Sequence, residues 1–232
     1  MSLAGAAVLA IWNGIKPGGE DEFVAWHVRE HIPERVGLPG FLRGRRYVAV
    51  DGAPKFFNFY ETQRVEDLSS SHYLARLDHP TPWTKAVVAT FTDTSRTICH
   101  VEASVGTGDG AAIETIRLGS SLDVRRFKQN VKSLVTPLPS ERVGIVSVHL
   151  LRGDNDASNR PTEEKKLRAA ADEIAEWILL IEATDVERLT DLRRSSLGND
   201  ALLKAGARAD LKRGIYRLQY ALSSPLLASR VE

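Results

Sequence analysis

One order of hydrophobic patterns, met twice along the chain, limits what it can become. Residues 7–12 are a short apolar run stopped by Asn13-Gly14 and Lys16-Pro17-Gly18-Gly19, which predicts a strand. From Glu20 the apolar positions take helical spacing, with Phe23, Val24, His27, Val28 and His31 on one broad face. Acids fill the first turn and Pro33 lies near the end, so a helix is expected over about 19–32. Residues 41–50 and 55–61, separated by Asp51-Gly52-Ala53-Pro54, read as a hairpin. Helical periodicity returns from Val65 to about Phe91, broken near His79-Pro80-Thr81-Pro82, and 96–105 reads as a fourth strand. The order strand, helix, strand, strand, helix, strand is that of a split βαβ unit.

After the linker Gly106-Thr107-Gly108-Asp109-Gly110 the order recurs. Strands are expected at 112–118, 142–151, 177–183 and 214–222, and helices at 122–135 and 186 to about 205. Thr184-Asp185-Val186-Glu187 reads as a capping box for the last helix. Identities support a repeat: Glu61, Val65, Glu66 and Leu68 match Glu182, Val186, Glu187 and Leu189 at an offset of 121, while Val24, Leu38-Pro39 and Val48 match Val124, Leu138-Pro139 and Val148 at 100. The change of offset demands an insertion, and the polar stretch at about 152–176 supplies it, with Pro161-Thr162-Glu163-Glu164 opening a short helix of its own. The expected division is a first unit over 1–106 and a second, degenerate unit over 110–232.

A four-stranded sheet with both helices on one face leaves its other face bare. Phe56-Phe57-Asn58-Phe59-Tyr60 and Trp177-Ile178-Leu179-Leu180-Ile181 are nearly continuous apolar runs, as in strands covered on both faces. The two sheets are therefore expected to pack on each other, in an α+β fold of two tandem ferredoxin-like βαββαβ units. A length of 232 residues suits one large domain or two small ones, and 31 basic against 30 acidic residues advertise no polyanion-binding surface. The single cysteine, Cys99, excludes an intrachain disulfide framework and fits a reducing cytosol. The apolar start, Met1 to Trp12, has no basic residue before it and is read as a strand rather than a leader. No stretch has the length to span a bilayer as a helix, so the expected location is cytoplasmic.

The first half carries Glu22-Phe23, Trp26, Glu30-His31-Ile32-Pro33-Glu34-Arg35, Pro39-Gly40-Phe41, Arg46-Tyr47, Tyr60-Glu61, Leu68, Ser71, Tyr73 and Pro80-Thr81-Pro82-Trp83-Thr84. In these it resembles the dimeric α/β-barrel superfamily, nearest its EthD-like and functionally unassigned branches. The resemblance covers about residues 5–105 and reaches the second half through strand order and the weak repeat. It implies two fused units closing a shared barrel, an intramolecular pseudo-dimer that could pair further as a homodimer. The superfamily holds cofactor-independent monooxygenases, haem-degrading and chlorite-decomposing enzymes, an isomerase and stress-responsive proteins, so fold alone names no reaction.

His27-Val28-Arg29-Glu30-His31 fits an inverted zinc-protease motif. The short helix, Pro33 and the missing third-ligand helix favour a packed His27 and a solvated Glu30, with no metal. His31, read at the helix end, is the candidate acid/base, since a neutral imidazole on a cavity wall can accept a proton; the alternative is a cap, or a salt-bridge partner for Glu34 or Glu61. Arg43, Arg45 and Tyr47 share one strand face and Arg46 the other. Arg43 is the candidate anion clamp, Tyr47 and Tyr60 orient substrate or complete the core, and Trp83 walls the cavity or packs. His72 is added as a substrate contact from the second helix.

At the offset of 100, Trp26, His27 and His31 become Arg126, Phe127 and Val131, while Arg46 and Tyr47 become Val146 and Ser147. Only the first unit is then expected to keep a polar pocket, and His149 reads as a packed core residue. The glycine-rich linker lacks the Lys-Ser/Thr of a phosphate loop, there is no serine nucleophile elbow, and Arg125, Arg126, Lys128 and Lys132 form a basic helical face without aromatic interleaving. The expected function is binding of a small molecule, with neither nucleic acid nor membrane as partner. An oxygenase- or isomerase-like enzyme acting on a small aromatic or carbonyl compound without a tightly bound cofactor fits this best. A non-catalytic ligand-binding or stress-associated protein and a haem-binding or haem-degrading protein are the alternatives.

Overall fold

The computed structural model describes residues 3–168 and 170–225. Eight strands alternate with short helices: β1 (Ala7–Ile15), β2 (Phe41–Asp51), β3 (Phe56–Thr62), β4 (Phe91–Gly106), β5 (Ala112–Leu118), β6 (Ile145–Gly153), β7 (Trp177–Ala183) and β8 (Lys212–Ser223). They close one barrel in the order β1-β3-β2-β8-β5-β7-β6-β4, antiparallel at every seam. Within it the first four strands run β4-β1-β3-β2 and the last four β8-β5-β7-β6, the same order twice. The two expected units are therefore present, but they do not lie as separate sheets face to face. Their edge strands hydrogen-bond, β2 to β8 and β4 to β6, so the expected bare faces become the inside of one closed sheet. Closure also removes the unpaired edges that two open sheets would expose.

The inward faces meet in an aromatic core of Trp12, Tyr47, Phe57, Phe59, Tyr216, Leu151, Ile178 and Leu180. The outward faces are covered by helices, and for this reason β3 and β7 are buried at every position. Over the second unit lie α5 (Val124–Val135), α6 (Leu138–Glu141), α9 (Val186–Arg194) and α10 (Asn199–Lys204). Over the first lie α1 (Glu20–Trp26), a π-helical turn (His27–His31), α2 (Ile32–Val36), α3 (Ser71–Asp78) and α4 (Pro82–Val88).

Helix one thus continues past its expected end. A proline inside a helix lacks a backbone donor and crowds the preceding turn; here the turn before Pro33 is widened, with the Ile32 N–H reaching back to the His27 carbonyl. The second helical region is a 3₁₀ turn (Val65–Ser69) followed by α3 and α4, and it yields to β4 at Phe91, five residues before the expected strand. The last helix is two, broken at 195–198. Its cap is Asp185, which accepts from the Arg188 N–H, while Thr184 only donates to the Asp185 carboxylate.

The insertion holds two short helices, α7 (Asn155–Asn159) and α8 (Glu163–Lys166), and it crosses onto the first unit. β4 outruns β6, and the insertion takes up its free edge: the Asp154 N–H donates to the Ile98 carbonyl, the Ile98 N–H to Ser158 Oγ and the Arg96 N–H to the Glu173 carbonyl. Strand pairing also revises the offset of the repeat. Glu61 pairs Arg43 as Glu182 pairs Ser147, and Phe59 pairs Arg45 as Leu180 pairs His149, so β2 and β6 correspond at 104 rather than 100.

Candidate active site

The face of the first unit's sheet beneath α1, α2 and α3 carries a set of buried polar groups outside the barrel. The π turn places His27 and His31 side by side, ring centroids 5.4 Å apart and nearly parallel, with Trp26 against His31 at 4.1 Å and Phe23 against His27 at 4.7 Å. Stacked imidazoles do not converge their lone pairs on one ion, so the zinc-motif spacing resolves as packing for His27. Glu30 is not solvated as expected; it accepts from the hydroxyls of Thr81 and Thr84, and Thr84 accepts in turn from Trp26 Nε1. These bonds tie α4 to the π turn.

His31 lies inside a continuous helix rather than at its C-terminus, and it pairs with neither Glu34 nor Glu61. Glu34 is taken by Arg35 and Arg76, and Glu61 by Arg43 and Arg45. Burial, reinforced by the nearby Arg35, His27 and Arg168, holds the His31 imidazole well below its usual range; burial and the Arg46 and Arg35 charges do the same for His27. Both rings are neutral at pH 7, and the Nδ1 of each is without a hydrogen-bond partner in the protein.

Tyr60 projects from β3 into the same layer, its ring 6.3 Å from His31 and edge-on. Its buried hydroxyl also lacks a partner, and burial pushes its pKa up, so it stays a neutral donor. Arg35, stacked 5.7 Å over the Tyr73 ring, donates to Glu164 at 2.7 Å, and Arg96 donates to the Tyr73 hydroxyl at 3.0 Å. From the insertion come Glu164, Arg168 and Asp172, with Arg168 paired to both carboxylates. Spacing alone could not place these three beside Arg35 and Arg96, because they come from a segment that reads as a solvated insertion.

Only part of the expected site assembles here. Trp83 packs, half-buried, at the edge of the Phe23–Trp26 cluster and donates its indole N–H to Glu22. His72 is exposed on α3, away from the layer. Arg43 and Tyr47 lie on the opposite face of the sheet, inside the barrel. There Arg43 is held by Glu61 at 2.7 Å and by Asp109, and Tyr47 packs on Phe57 and Phe59. The reason is strand alternation: Tyr47 and Tyr60 come from neighbouring strands with opposite facing.

The barrel interior holds a second buried polar set. Arg45 bridges Glu61 at 3.1 Å and Glu182 at 2.9 Å, and His149 meets Ser104, Ser147 and Glu182. Burial would raise the Glu182 carboxyl, but the His149 hydrogen bond and the Arg45 charge hold it at about 2. His149 is packed as expected, within this polar set. The pairing register makes Arg45 and His149 counterparts in the two units, as are Glu61 and Glu182.

Seen with its eight-stranded closure and twice-repeated strand order, the molecule compares well with solved structures. An anthrone oxidase-like protein superposes with a TM-score of 0.63 at 14% identity, covering 94% of this chain and 93% of its own. The chain has the dimeric α/β-barrel fold. A protein provisionally named a monooxygenase from Lactobacillus acidophilus gives 0.59 at 10% identity over 94% and 96% of the two chains. A similarly named protein from Fusobacterium nucleatum gives 0.57 at 12% over 95% and 96%. No family model and no curated protein matches the sequence. Among the described residues no helix is long and apolar enough to cross a membrane, and no group of three or more His, Cys, Asp or Glu could hold a metal ion.

On the helix faces the two units differ. The buried face of α5 is Phe127, Val131 and Val135, with the spacing of Phe23, His27 and His31. The offset of 104 therefore sets valines where the first unit has histidines, so its helix face carries no counterpart of this polar layer.

Proposed function

We propose that the chain is a small-molecule-binding tandem α/β barrel, its units spanning 1–106 and 110–232, whose ligand site is the His31 layer of the first unit. The single observation carrying this reading is the group of buried polar atoms left without protein partners in one layer: His27 Nδ1, His31 Nδ1, Tyr60 OH, Arg168 Nε and Asp172 Oδ1. Buried polar groups are almost always satisfied, and an orphaned one costs about 1–3 kcal/mol. Several together favour a site built for a polar guest over a core built for stability alone.

The chemistry offered is proton transfer. A neutral imidazole takes the proton of an acidic C–H or O–H on a small aromatic or carbonyl compound, the Tyr60 hydroxyl donates to the oxygen that gains charge, and Trp26 gives the ring an apolar face. The similarity to an anthrone oxidase-like protein and to proteins provisionally named monooxygenases agrees with an oxygenase-type reaction in which dioxygen, as co-substrate, is the oxidant of the resulting anion. Haem finds less support, since the His31 ring is bordered by Trp26, His27 and Tyr60. The test is native mass spectrometry of the purified protein for a co-purified compound, then turnover of that compound by His31→Ala and Tyr60→Phe. Loss of about 10²-fold or more in kcat for His31→Ala is expected of a general base; binding without turnover in either protein would support a non-catalytic binder.

A further inference from the structure

The insertion of the second unit ends in a charge arrangement that the packing of the first unit does not require. Arg35, Arg96 and Arg168 are each nearly wholly buried, against two buried carboxylates, Glu164 and Asp172, with Glu34 at the rim 19% exposed. Lys165, half-buried beside them and donating to the Ser158 carbonyl, and the more exposed Arg76, which also meets Glu34, leave five cations facing three carboxylates. Within this set Arg168 has its Nε, and Asp172 its Oδ1, unpaired although both side chains are over nine-tenths buried. Buried charges are ordinarily matched and fully hydrogen-bonded.

A cleft borders the same segment. About 480 Å³ in volume, it runs between the α3–α4 connection and α8, lined by the cations Lys85 and Lys166, the acids Asp78 and Glu163, and His79, Pro80 and Leu167. Leu167, the neighbour of Arg168, also packs on the cluster that contains Trp26. Leu167 thus joins the cleft wall to Arg168, its neighbour in the chain, and to the apolar cluster around Trp26.

Resting on the binding site proposed above, we infer that Arg168 is its anion-recognising residue. It would exchange part of its pairing with Asp172 for an oxyanion, a carboxylate or enolate, on an aromatic ligand seated against Trp26 and His31. The substrate class is then a small aromatic acid or acidic enol rather than a neutral ring compound. The second unit, though it lacks its own histidine layer, would complete the first unit's site. Arg168 is a positioning and specificity residue in this scheme, and the proton still goes to His31.

The test uses the full-length protein and matched probes in isothermal titration: benzoate and 2-naphthoate against benzamide and 2-naphthamide. A charge-assisted guanidinium contact is expected to favour each acid over its amide by about tenfold or more. Arg168→Gln alone leaves Asp172 buried without its partner and can fail to fold. Arg168→Gln combined with Asp172→Asn keeps the layer neutral and should reduce the preference to about threefold or less, while Asp172→Asn alone should raise acid affinity. An acid preference that survives in the double variant overturns the inference, as does equal binding of acids and amides by the wild type. Amides that bind in a His31-dependent manner without any acid preference sink this inference alone. Failure of both series to bind takes the proposed site with it.

Discussion

Two histidines four residues apart suggest a metal motif in the sequence and form a neutral stacked pair in the fold, and the difference appears in the response to acid. The unfolded chain protonates both imidazoles near pH 6.5, whereas the folded chain resists because each is buried among cations. Their folded pKa values are lowered, so stability is unaffected well above pH 6.5 and falls as the pH drops below it toward those lowered values. His27→Gln removes one such group. The stability lost between pH 8 and pH 5, followed by urea unfolding, should then shrink by up to about 1.4 kcal/mol for every tenfold difference in proton affinity that the substitution abolishes. Tyr47 offers the opposite test. Its hydroxyl is buried without a partner inside the barrel, so Tyr47→Phe should leave ligand binding unchanged and shift stability by no more than about 1 kcal/mol, in the stabilising direction, in denaturant titration. A substrate-orienting Tyr47 would instead lose affinity. At this scale the sequence showed which residues were polar and which shared a strand face. It could not show which face looked inward, because both faces of β3 are buried and alternation alone gives no sign.

At the scale of elements, strands were the more legible. β5 and β7 match their expected bounds, and the β2–β3 hairpin matches within a residue or two, because turn residues and apolar runs are local signals. Helix one ran on because a π turn has no compositional mark and can admit Pro33. The insertion was legible as an insertion, yet its destination was not, since nothing local says that Glu164 will reach Arg35, 129 residues away. Its anchorage is specific: the Ile98 N–H donates to Ser158 Oγ in a buried setting. Ser158→Ala leaves that donor unsatisfied and should cost about 1–3 kcal/mol. Hydrogen exchange should show faster exchange at Ile98 and along the segment that covers Tyr73, while the amides of β5 and β7 remain protected.

For the whole molecule, the twofold strand order could be read from the pattern, and barrel closure was implied by a resemblance rather than by any count of residues. The revised offset of 104 shows why sparse identities mislead: four residues of slip exchange the histidine counterparts without disturbing the conclusion that the second helix face is apolar. The halves are held by two strand seams and by Arg45, which reaches across to Glu182. Cleaving the 106–110 linker should therefore leave a single 25.6 kDa complex in native mass spectrometry, and a mixture of half-sized fragments would contradict the seams. Asp109, held by Arg43 and Arg45, should slow that cleavage relative to an unpaired loop.

Both seams lie within one polypeptide, so dilution cannot loosen them. An assembly built from separate identical molecules has a concentration below which it comes apart, and any change in its gene alters both faces at once. Here one half carries histidines on its helix face and the other valines, and the asymmetry persists at any abundance the cell maintains.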